Sequence, residues 1–525
     1  MKKIAFAFSI ISLLLLCTIL SCKKDKETEI ATPIIVKKDK NAFERTAVDS
    51  FFNKYPLLKK YEADVKKLYQ KHRYHYVWFD KNGMNEFACL LYDKINNLDE
   101  EGIQIGIPYK DKLEELYSNS NGNQKRNLET ELLNSALYFF YAMNVYHGLD
   151  TKKSDEIEWY IPRKNQSYIS YLDSLLANPS LIKEDEKNLI GQYFLLKKAL
   201  KKYRQIQKNG GWNSIDIDTA VTAYKIGDSA TAIAQIRDRL FASGDITNNS
   251  GSPIYNRALS RGILNYKSRS GLLPNSSIST SLIKDLNIPI DERIKTIIIN
   301  MERCRWVSND IPKAKELIAI NIPSFQLSYF KNQEVVLRSK VVVGKIMNKT
   351  VIFSGMMKYI VFSPYWNVPS SILKNEIQPA LAKNPNYLAE HDMEWYEGKV
   401  RQKPGPKNSL GLIKFLFPNS NNIYLHDTPS KGLFEREERA FSHGCIRVDK
   451  PRELAMEILK DDPDWTPEKI DEAMNGGKET WYTLKNRIPV YIGYFTAWVD
   501  NDGTLHFYND IYKRDELLAS MLFVK

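Results

Sequence analysis

The residues of this sequence that could do chemistry together lie in one short stretch, which holds a cysteine and two histidines. His426 stands nineteen residues before Cys445, and His443 stands two residues before it. A cysteine attacks a carbonyl as the thiolate, and a free thiol is mostly protonated at neutral pH. A neighbouring imidazole can take that proton and later return it to a leaving amine. The spacing therefore predicts acyl transfer by a cysteine nucleophile.

Residues next to the cysteine fit this chemistry. Gly444 lets the backbone approach a substrate carbonyl closely, and the amide N–H groups around Cys445 can hold a developing oxyanion. Arg447 supplies a positive charge that favours the thiolate or binds a substrate carboxylate. Two other interpretations stay open. One is a buried structural cysteine. The other is a zinc site of His426, His443 and Cys445, for which the sequence shows no fourth ligand in a spaced motif.

The elements that must position these residues are predicted to be mainly β. Apolar and polar residues alternate with a period of two from about residue 315, and a β-like pattern recurs over residues 351–368. Near the C-terminus, Asp502-Gly503 predicts a hairpin. Residues 449–460 carry their apolar side chains on one helical face and predict a helix.

The first half of the sequence has a helical pattern. Apolar residues recur at helical spacing over residues 46–225, and Asn209-Gly210-Gly211 breaks the last long run. No catalytic cluster is visible there, and His72, His75 and His147 are predicted to be structural or surface histidines. Residues 230–290 predict three short amphipathic helices with glycine stops.

Composition sets limits on the class of protein. The 525 residues carry a net charge of +12, with 43% hydrophobic and 26% charged residues, which excludes a mostly disordered chain. After the first twenty residues no uncharged apolar run is long enough to predict a membrane span. Five cysteines exclude a disulfide scaffold. The lysines are scattered rather than clustered, so the basic charge indicates a solvated surface or attraction to an anionic envelope polymer, and not nucleic acid.

The N-terminus predicts export and lipidation. Lys2 and Lys3 precede an apolar run over residues 4–20, which is typical of a signal peptide. Ile19-Leu20-Ser21-Cys22 resembles the lipobox of bacterial lipoproteins, in which the signal is cut before a lipidated cysteine. We therefore predict a lipoprotein signal peptide at 1–22, acyl chains on Cys22 that anchor the protein to a membrane, and a lysine-rich tether at 23–45. A plain secretory signal is the alternative.

The motif around the cysteine has a family resemblance. Ser442-His443-Gly444-Cys445-Ile446-Arg447, preceded by His426-Asp427-Thr428-Pro429, resembles the L,D-transpeptidases with a YkuD-type catalytic domain. Three further segments resemble those of the large multidomain, YcbB-like branch of that family. They are Asn300-Met301-Glu302-Arg303, residues 364–369 and Asp510-Ile511-Tyr512. The resemblance is specific over about residues 295–515 and weaker over 46–290.

The resemblance implies a multidomain α+β architecture. It comprises a helical scaffold domain at 46–225, a small three-helix module of the peptidoglycan-binding type at 230–290, and a mainly β, sandwich-like catalytic domain at 295–515. A capping insertion over the active site is expected at about 370–415.

The resemblance also implies a role for each site residue. Cys445 matches the nucleophile and His426 matches the general base. Asp427 is expected to orient the ring of His426, although a backbone carbonyl can do the same. The positions that match the supporting residues of the oxyanion region are Ser442, His443, Gly444 and Arg447.

The implied reaction is a cross-linking of peptidoglycan. Cys445 attacks the third residue of a stem tetrapeptide, D-Ala leaves, and a diamino-acid amine of a neighbouring stem takes the acyl group to give a 3→3 cross-link. The reaction needs no metal or cofactor, and a carbapenem is the expected inhibitor. Hydrolysis, D-amino-acid exchange, protein anchoring and a non-catalytic envelope-binding role stay open. The expected location is the cell envelope, facing the periplasm and anchored in the outer rather than the inner membrane.

Overall fold

In the computed structural model, the chain is described at residue 39 and over residues 41–523, except for 119–124, 165, 184–187 and 219. The predicted signal peptide with Cys22, and most of the tether, lie outside the described residues. Within the described part of the chain, no helix combines the length and the apolar character needed to cross a membrane.

The first region of the structure is helical, as the sequence predicts. Its central helix is α5, whose side chains are buried on nearly every side and whose N-terminus is capped by Asn127. The last helix ends where Gly210 and Gly211 adopt φ values of +101° and +71°, so the predicted break is confirmed. The elements are α1 (Thr46–Lys54), α2 (Glu62–Lys71), β1 (Phe79–Asp80), β2 (Gly83–Met84), α3 (Glu86–Asn96), α4 (Lys110–Ser118), α5 (Leu128–Tyr141), α6 (Thr151–Glu156), α7 (Tyr168–Ala177) and α8 (Gly191–Lys208).

The isolated histidines of this region have structural partners. Nε2 of His72 lies 2.7 Å from Asp173, and Nε2 of His75 lies 2.9 Å from Asp39. His147 packs its ring against Tyr168, and burial lowers its pKa to about 4. The prediction that these histidines are structural or surface residues is confirmed.

A small module follows with a hydrophobic core of its own. Ile233, Ile236, Leu240, Leu259 and Ile263 lie at its centre. The three predicted helices are present, and the first ends at Gly244, which has a φ of +85°. The elements are β3 (Ala223–Tyr224), α9 (Thr231–Ser243), α10 (Arg257–Arg269), β4 (Ile278–Ser279) and α11 (Thr280–Leu286).

Helix α12 (Ile290–Trp306) joins the module to the sheet-rich region and carries buried charges. Glu302, 1% exposed, accepts hydrogen bonds from the backbone N–H of Leu149 at 2.6 Å and from Nε1 of Trp306 at 2.9 Å. Its other oxygen lies 2.9 Å from the guanidinium of Arg305, which also donates to the carbonyl of Val145. These contacts join the helical region to α12.

The second buried cation of α12 faces the C-terminal segment. Arg303, which is fully buried, pairs with Asp515 at 2.7 Å. Asn300 and Thr496 exchange two hydrogen bonds at 2.8 and 2.9 Å beside this pair. The motif that starts at Asn300 is therefore the junction between the two large regions of the molecule.

The sheet-rich region contains the remaining elements. Its strands are β5 (Glu316–Asn321), β6 (Gln326–Lys331), β7 (Glu334–Gly344), β8 (Phe353–Phe362), β9 (Trp366–Asn367), β10 (Met393–Tyr396), β11 (Lys399–Gln402), β12 (Ile413–Leu416), β13 (Leu425–His426), β14 (Ala440–Ser442), β15 (Ile446–Val448), β16 (Thr480–Gly493), β17 (Ala497–Val499) and β18 (Leu505–Phe507). Its helices are α13 (Ser370–Ile372), α14 (Gln378–Lys383), α15 (Tyr387–Glu390), α16 (Pro451–Leu459), α17 (Pro467–Asn475) and α18 (Arg514–Leu522).

The main sheet of this region closes on itself. Its strand order is β14-β7-β15-β13-β12-β8-β16-β5-β6, and β6 pairs with β7 as well as with β5. The expected sandwich-like arrangement is therefore one continuous sheet whose ends meet. The difference arises because β6 hydrogen-bonds on both of its edges, which removes the gap that separates two stacked sheets.

Residues 366–402 form an insertion in this sheet region. Strands β9, β10 and β11 make a separate three-stranded sheet, and the short helices α13–α15 pack on it. Val368, Ile377, Met393 and Val400 form its small core. The predicted cap at about 370–415 thus overlaps a folded unit, but β12 already belongs to the main sheet.

Candidate active site

Strand pairing brings the two halves of the motif together. Strands β13 and β15 are parallel neighbours, with Leu425 opposite Ile446 and His426 opposite Arg447. Leu425 and Ile446 are fully buried in the main core. Because successive side chains of a strand point to opposite faces, His426 and Arg447 lie together on the other face. Cys445 directly precedes β15 and so enters the same site.

The environment of His426 keeps its imidazole neutral. The ring is 5% exposed, and burial followed by the charge of Arg447 lowers its pKa to about 4. Its Nδ1 lies 2.5 Å from the backbone carbonyl of Asp427, so Nδ1–H donates and Nε2 is left as the basic nitrogen. The residue is therefore in the protonation state that a general base requires at neutral pH.

Cys445 is held as a thiol. Burial raises its pKa above the ordinary cysteine value, and hydrogen bonds from Tyr424 and the charge of Arg447 only partly oppose this. Its S–H donates to the carbonyl of Asn422 at 3.6 Å. The expectation that Arg447 favours the thiolate is right in sign, but burial outweighs it. The resting pair is thus a neutral thiol and a neutral imidazole.

The turn from Ser442 to Cys445 is fixed by side-chain hydrogen bonds. The hydroxyl of Ser442 donates to the carbonyl of Cys445 at 2.5 Å and accepts from the N–H of Gly444 at 3.1 Å. Gly444 has a φ of +114°, which a residue with a side chain rarely adopts. Among the described residues nothing accepts from the N–H of Cys445, so this amide is the candidate oxyanion donor.

A buried hydrogen-bond chain supports this turn from behind. Thr350, which is fully buried, donates to the carbonyl of Gly444 at 2.9 Å and accepts from the N–H of Gly344 at 2.9 Å. The hydroxyl of Tyr512 accepts from the N–H of Thr350 at 3.1 Å and donates to the carbonyl of Gly344 at 2.5 Å. These contacts connect three distant segments, and the sequence pattern gives no role to Thr350.

The side chains of His443 and Asp427 contact residues outside the motif or at its edge. Nε2 of His443 lies 3.0 Å from Oε1 of Glu376 in the insertion. The carboxylate of Asp427 accepts from the N–H of Leu412 at 2.9 Å and pairs with Lys431 at 2.6 Å. Asp427 therefore orients His426 through its backbone carbonyl and not through its side chain.

Tyr424 is a site residue that sequence reasoning missed. Its ring centroid lies 5.6 Å from that of His426, and the carbonyl of Tyr424 accepts from the N–H of Ile446. Burial, and then the neighbouring Cys445, raise the pKa of its phenol above the ordinary value. A signal in the sequence is that Tyr424 stands two residues before His426, since residues two apart in extended backbone share a face.

The zinc alternative needs His426, His443 and Cys445 to converge. The ring of His443 instead contacts Glu376. Over the part of the chain that the structure describes, no group of three or more His, Cys, Asp or Glu side chains is arranged to hold a metal ion.

The protonation state of the thiol gives a first prediction. Alkylation of Cys445 by iodoacetamide is expected to be slow at pH 7 and to rise only above the ordinary pKa of a cysteine thiol, because burial raises the pKa of this group. Peptide mass mapping must assign the adduct to Cys445, since Cys89 and Cys304 are also free thiols. Fast alkylation at neutral pH would instead indicate a preformed thiolate–imidazolium pair.

Comparison with known proteins identifies two parts of the chain. Residues 315–470 match the family model of the L,D-transpeptidase catalytic domain, called YkuD, and residues 63–200 match that of a scaffold domain. The first match contains Cys445, His426 and Gly444. The second lies within the helical region, at the place where the sequence predicts a scaffold.

Individual proteins are similar to parts of this chain. The chain is 34% identical over 240 residues to a putative L,D-transpeptidase of Haemophilus influenzae, which covers 42% of this chain and 48% of that protein. The chain thus spans about half the length of this relative. Solved structures with more distant likeness include an L,D-transpeptidase from Mycobacterium smegmatis, at 14% identity and a TM-score of 0.20, with 34% of this chain and 59% of that one covered. Another is an LD transpeptidase in complex with imipenem, at 12% identity and a TM-score of 0.20, with the same coverage.

The candidate catalytic residues lie in a region that a family model describes. The cysteine, the buried histidine and the glycine turn are assembled by strands β13, β14 and β15 inside the matched range. Residues 315–470 of this chain are therefore similar to the L,D-transpeptidase catalytic domain of the YkuD family.

Proposed function

We propose that this protein is a cysteine L,D-transpeptidase that forms 3→3 cross-links between the stem peptides of peptidoglycan. The observation that carries the proposal is the pairing of β13 with β15 inside the YkuD match, which places a neutral buried His426 on the strand next to β15, the strand that Cys445 directly precedes. The helical region and the three-helix module accompany this domain, as the large multidomain branch would require.

The geometry supports an acylation step. Nε2 of His426 takes the thiol proton as Sγ of Cys445 attacks the carbonyl of the third residue of a stem tetrapeptide. The N–H of Cys445 stabilises the negative oxygen of the tetrahedral intermediate. When the intermediate collapses, the C–N bond breaks, and the imidazolium returns its proton to the amine of the departing D-Ala. The product is a thioester on Cys445.

Transfer to the acceptor repeats these events. The side-chain amine of a diamino acid on a neighbouring stem attacks the thioester carbonyl, and His426 takes a proton from that amine. The C–S bond then breaks, an amide forms, and the imidazolium returns the proton to the Cys445 sulfur. The steps balance without a cofactor.

The Nε atom of Arg447 is a buried donor with no hydrogen-bond partner among the described residues, so we assign it to a substrate carboxylate.

The test uses a defined disaccharide tetrapeptide and mass spectrometry. The protein without residues 1–22 is expected to produce a dimer that weighs one D-Ala less than two monomers, and the Cys445→Ala variant should produce none. A carbapenem should leave a covalent adduct on the wild-type protein only. Release of D-Ala without a dimer would indicate hydrolysis or exchange, and no turnover with no adduct would overturn the enzymatic proposal.

We also propose that Cys22 is lipidated and that the protein faces the periplasm from the outer membrane. The proposal rests on the lipobox-like Ile19-Leu20-Ser21-Cys22 after an apolar run. Membrane fractionation tests it, since several acyl chains give stable anchoring. The Cys22→Ala variant is expected to lose lipid labelling and to leave the outer-membrane fraction. Equal labelling of both proteins would contradict the proposal.

A further inference from the structure

The insertion touches the catalytic turn through one pair of side chains. Nε2 of His443 lies 3.0 Å from Oε1 of Glu376, and the two side chains are 42% and 54% exposed. The imidazole of His443 and the carboxylate of Glu376 are thus close enough to form an ion pair when His443 is protonated. His443 belongs to the turn that carries Cys445, whereas Glu376 belongs to the separate sheet-and-helix unit at 366–402.

The position of Glu376 is set by the fold of the insertion. It lies in a π-helical turn over Leu373–Ile377, between α13 and α14. The next residue, Ile377, is 3% exposed and packs in the core of the insertion with Val368 and Val400. Such π turns are rare and occur frequently at functional sites. The carboxylate is thus presented by a residue whose neighbour anchors the turn.

His443 is the residue of the catalytic turn that faces the insertion. The residues around it are already held, since Ser442 bonds to Gly444 and Cys445, and Thr350 bonds to the Gly444 carbonyl. These bonds fix the turn from the side of the main sheet. The His443 side chain takes no part in those hydrogen bonds and contacts Glu376 of the insertion instead. A displacement of Glu376 would therefore act on the turn that presents Sγ and the Cys445 N–H.

We propose that Glu376 is a positioning residue, whose carboxylate holds His443 and thereby sets the Ser442–Cys445 turn in the geometry used for acyl transfer. The inference rests on the proposed function and deepens it, because it assigns the insertion a direct part in the reaction. It also gives His443 a role distinct from that of His426. Misplacement of reacting groups by about 1 Å can cost about 100-fold in rate, so a contact that fixes the turn has a measurable kinetic effect.

The pair is half exposed, and exposed pairs contribute little to folding stability. The test is therefore kinetic. Glu376→Gln, His443→Gln and the double variant are compared for the rate of Cys445 acylation by imipenem, followed by protein mass, and for dimer formation. Glu397→Gln is the matched control, since Glu397 is an exposed glutamate of the same insertion, in the turn between β10 and β11.

Each single variant is expected to acylate roughly tenfold more slowly than wild type, with an unchanged melting temperature and an unchanged KM for the tetrapeptide. The double variant should lose no more than either single variant, because coupled residues are not additive. Glu397→Gln should behave as wild type.

Two outcomes would overturn the inference alone. One is a Glu376→Gln variant that acylates at the wild-type rate, and the other is a double variant whose loss equals the product of the single losses. If the wild-type protein forms no adduct and no dimer, the proposed function fails and this inference fails with it.

Discussion

Replacing His426 with glutamine is expected to lower kcat/KM for dimer formation by about 10²–10⁴-fold, the usual contribution of a general acid–base. Glutamine keeps a polar side chain in the buried position but cannot take the thiol proton. The strand pairing of β13 with β15 does not depend on this side chain, so the fold should persist. Steady-state kinetics with the tetrapeptide, alongside circular dichroism, measure both.

The control for this prediction is the neighbouring histidine of the motif. His443→Gln should lose far less, because the ring of His443 contacts Glu376 and is 42% exposed. If the two substitutions lower kcat/KM equally, or if His443→Gln is the more damaging, the assignment of His426 as the base is wrong.

The buried carboxylate of Glu302 is expected to contribute strongly to the stability of the folded protein. Glu302→Gln is expected to lower the free energy of unfolding by about 3–5 kcal/mol, because it leaves the buried Arg305 guanidinium without its carboxylate. The wild-type oxygens also accept from Leu149 and Trp306, so the change weakens the junction between the helical region and α12. Urea unfolding followed by tryptophan fluorescence measures the difference, since Trp306 lies at the junction.

The matched control lies on the same helix. Glu292 pairs with Lys295 at 2.6 Å, and both side chains are about half exposed. Glu292→Gln should change the free energy of unfolding by less than about 1 kcal/mol, as is usual for exposed pairs. A Glu302→Gln variant that is no less stable than Glu292→Gln would show that the buried carboxylate does not hold the two regions together.

Local patterns predicted the elements of the fold well, because they depend on neighbours in the sequence. The alternation from residue 315 is β5, and the helix predicted at 449–460 is α16. The hairpin at Asp502-Gly503 joins β17 to β18. The closure of the sheet was not predictable in this way. Alternation indicates which face of a strand is buried but not which strand lies beside it.

The same difference between local and distant residues applies to the candidate site. Cys445 and His426 could be named because their types and spacing belong to one motif, and the structure places His426 on β13 and Cys445 directly before the adjacent strand β15. Thr350 and Glu376 could not, since each comes from a distant segment and carries an ordinary side chain. Of the two ways in which Asp427 could orient His426, the structure shows the backbone carbonyl, because the carboxylate oxygens are occupied by Leu412 and Lys431.

The closed sheet has a consequence for how the chain folds. Strand β16 lies between β8 and β5, and its residue Val490 pairs with Ile318, far earlier in the chain. Contacts between such distant segments form slowly, because a long loop must be closed first. A chain cut after residue 470 would leave β5 and β8 with unpaired edges, which are sites of aggregation. The segment that carries the candidate catalytic residues is therefore expected to become a stable domain only when the C-terminal strand has joined it.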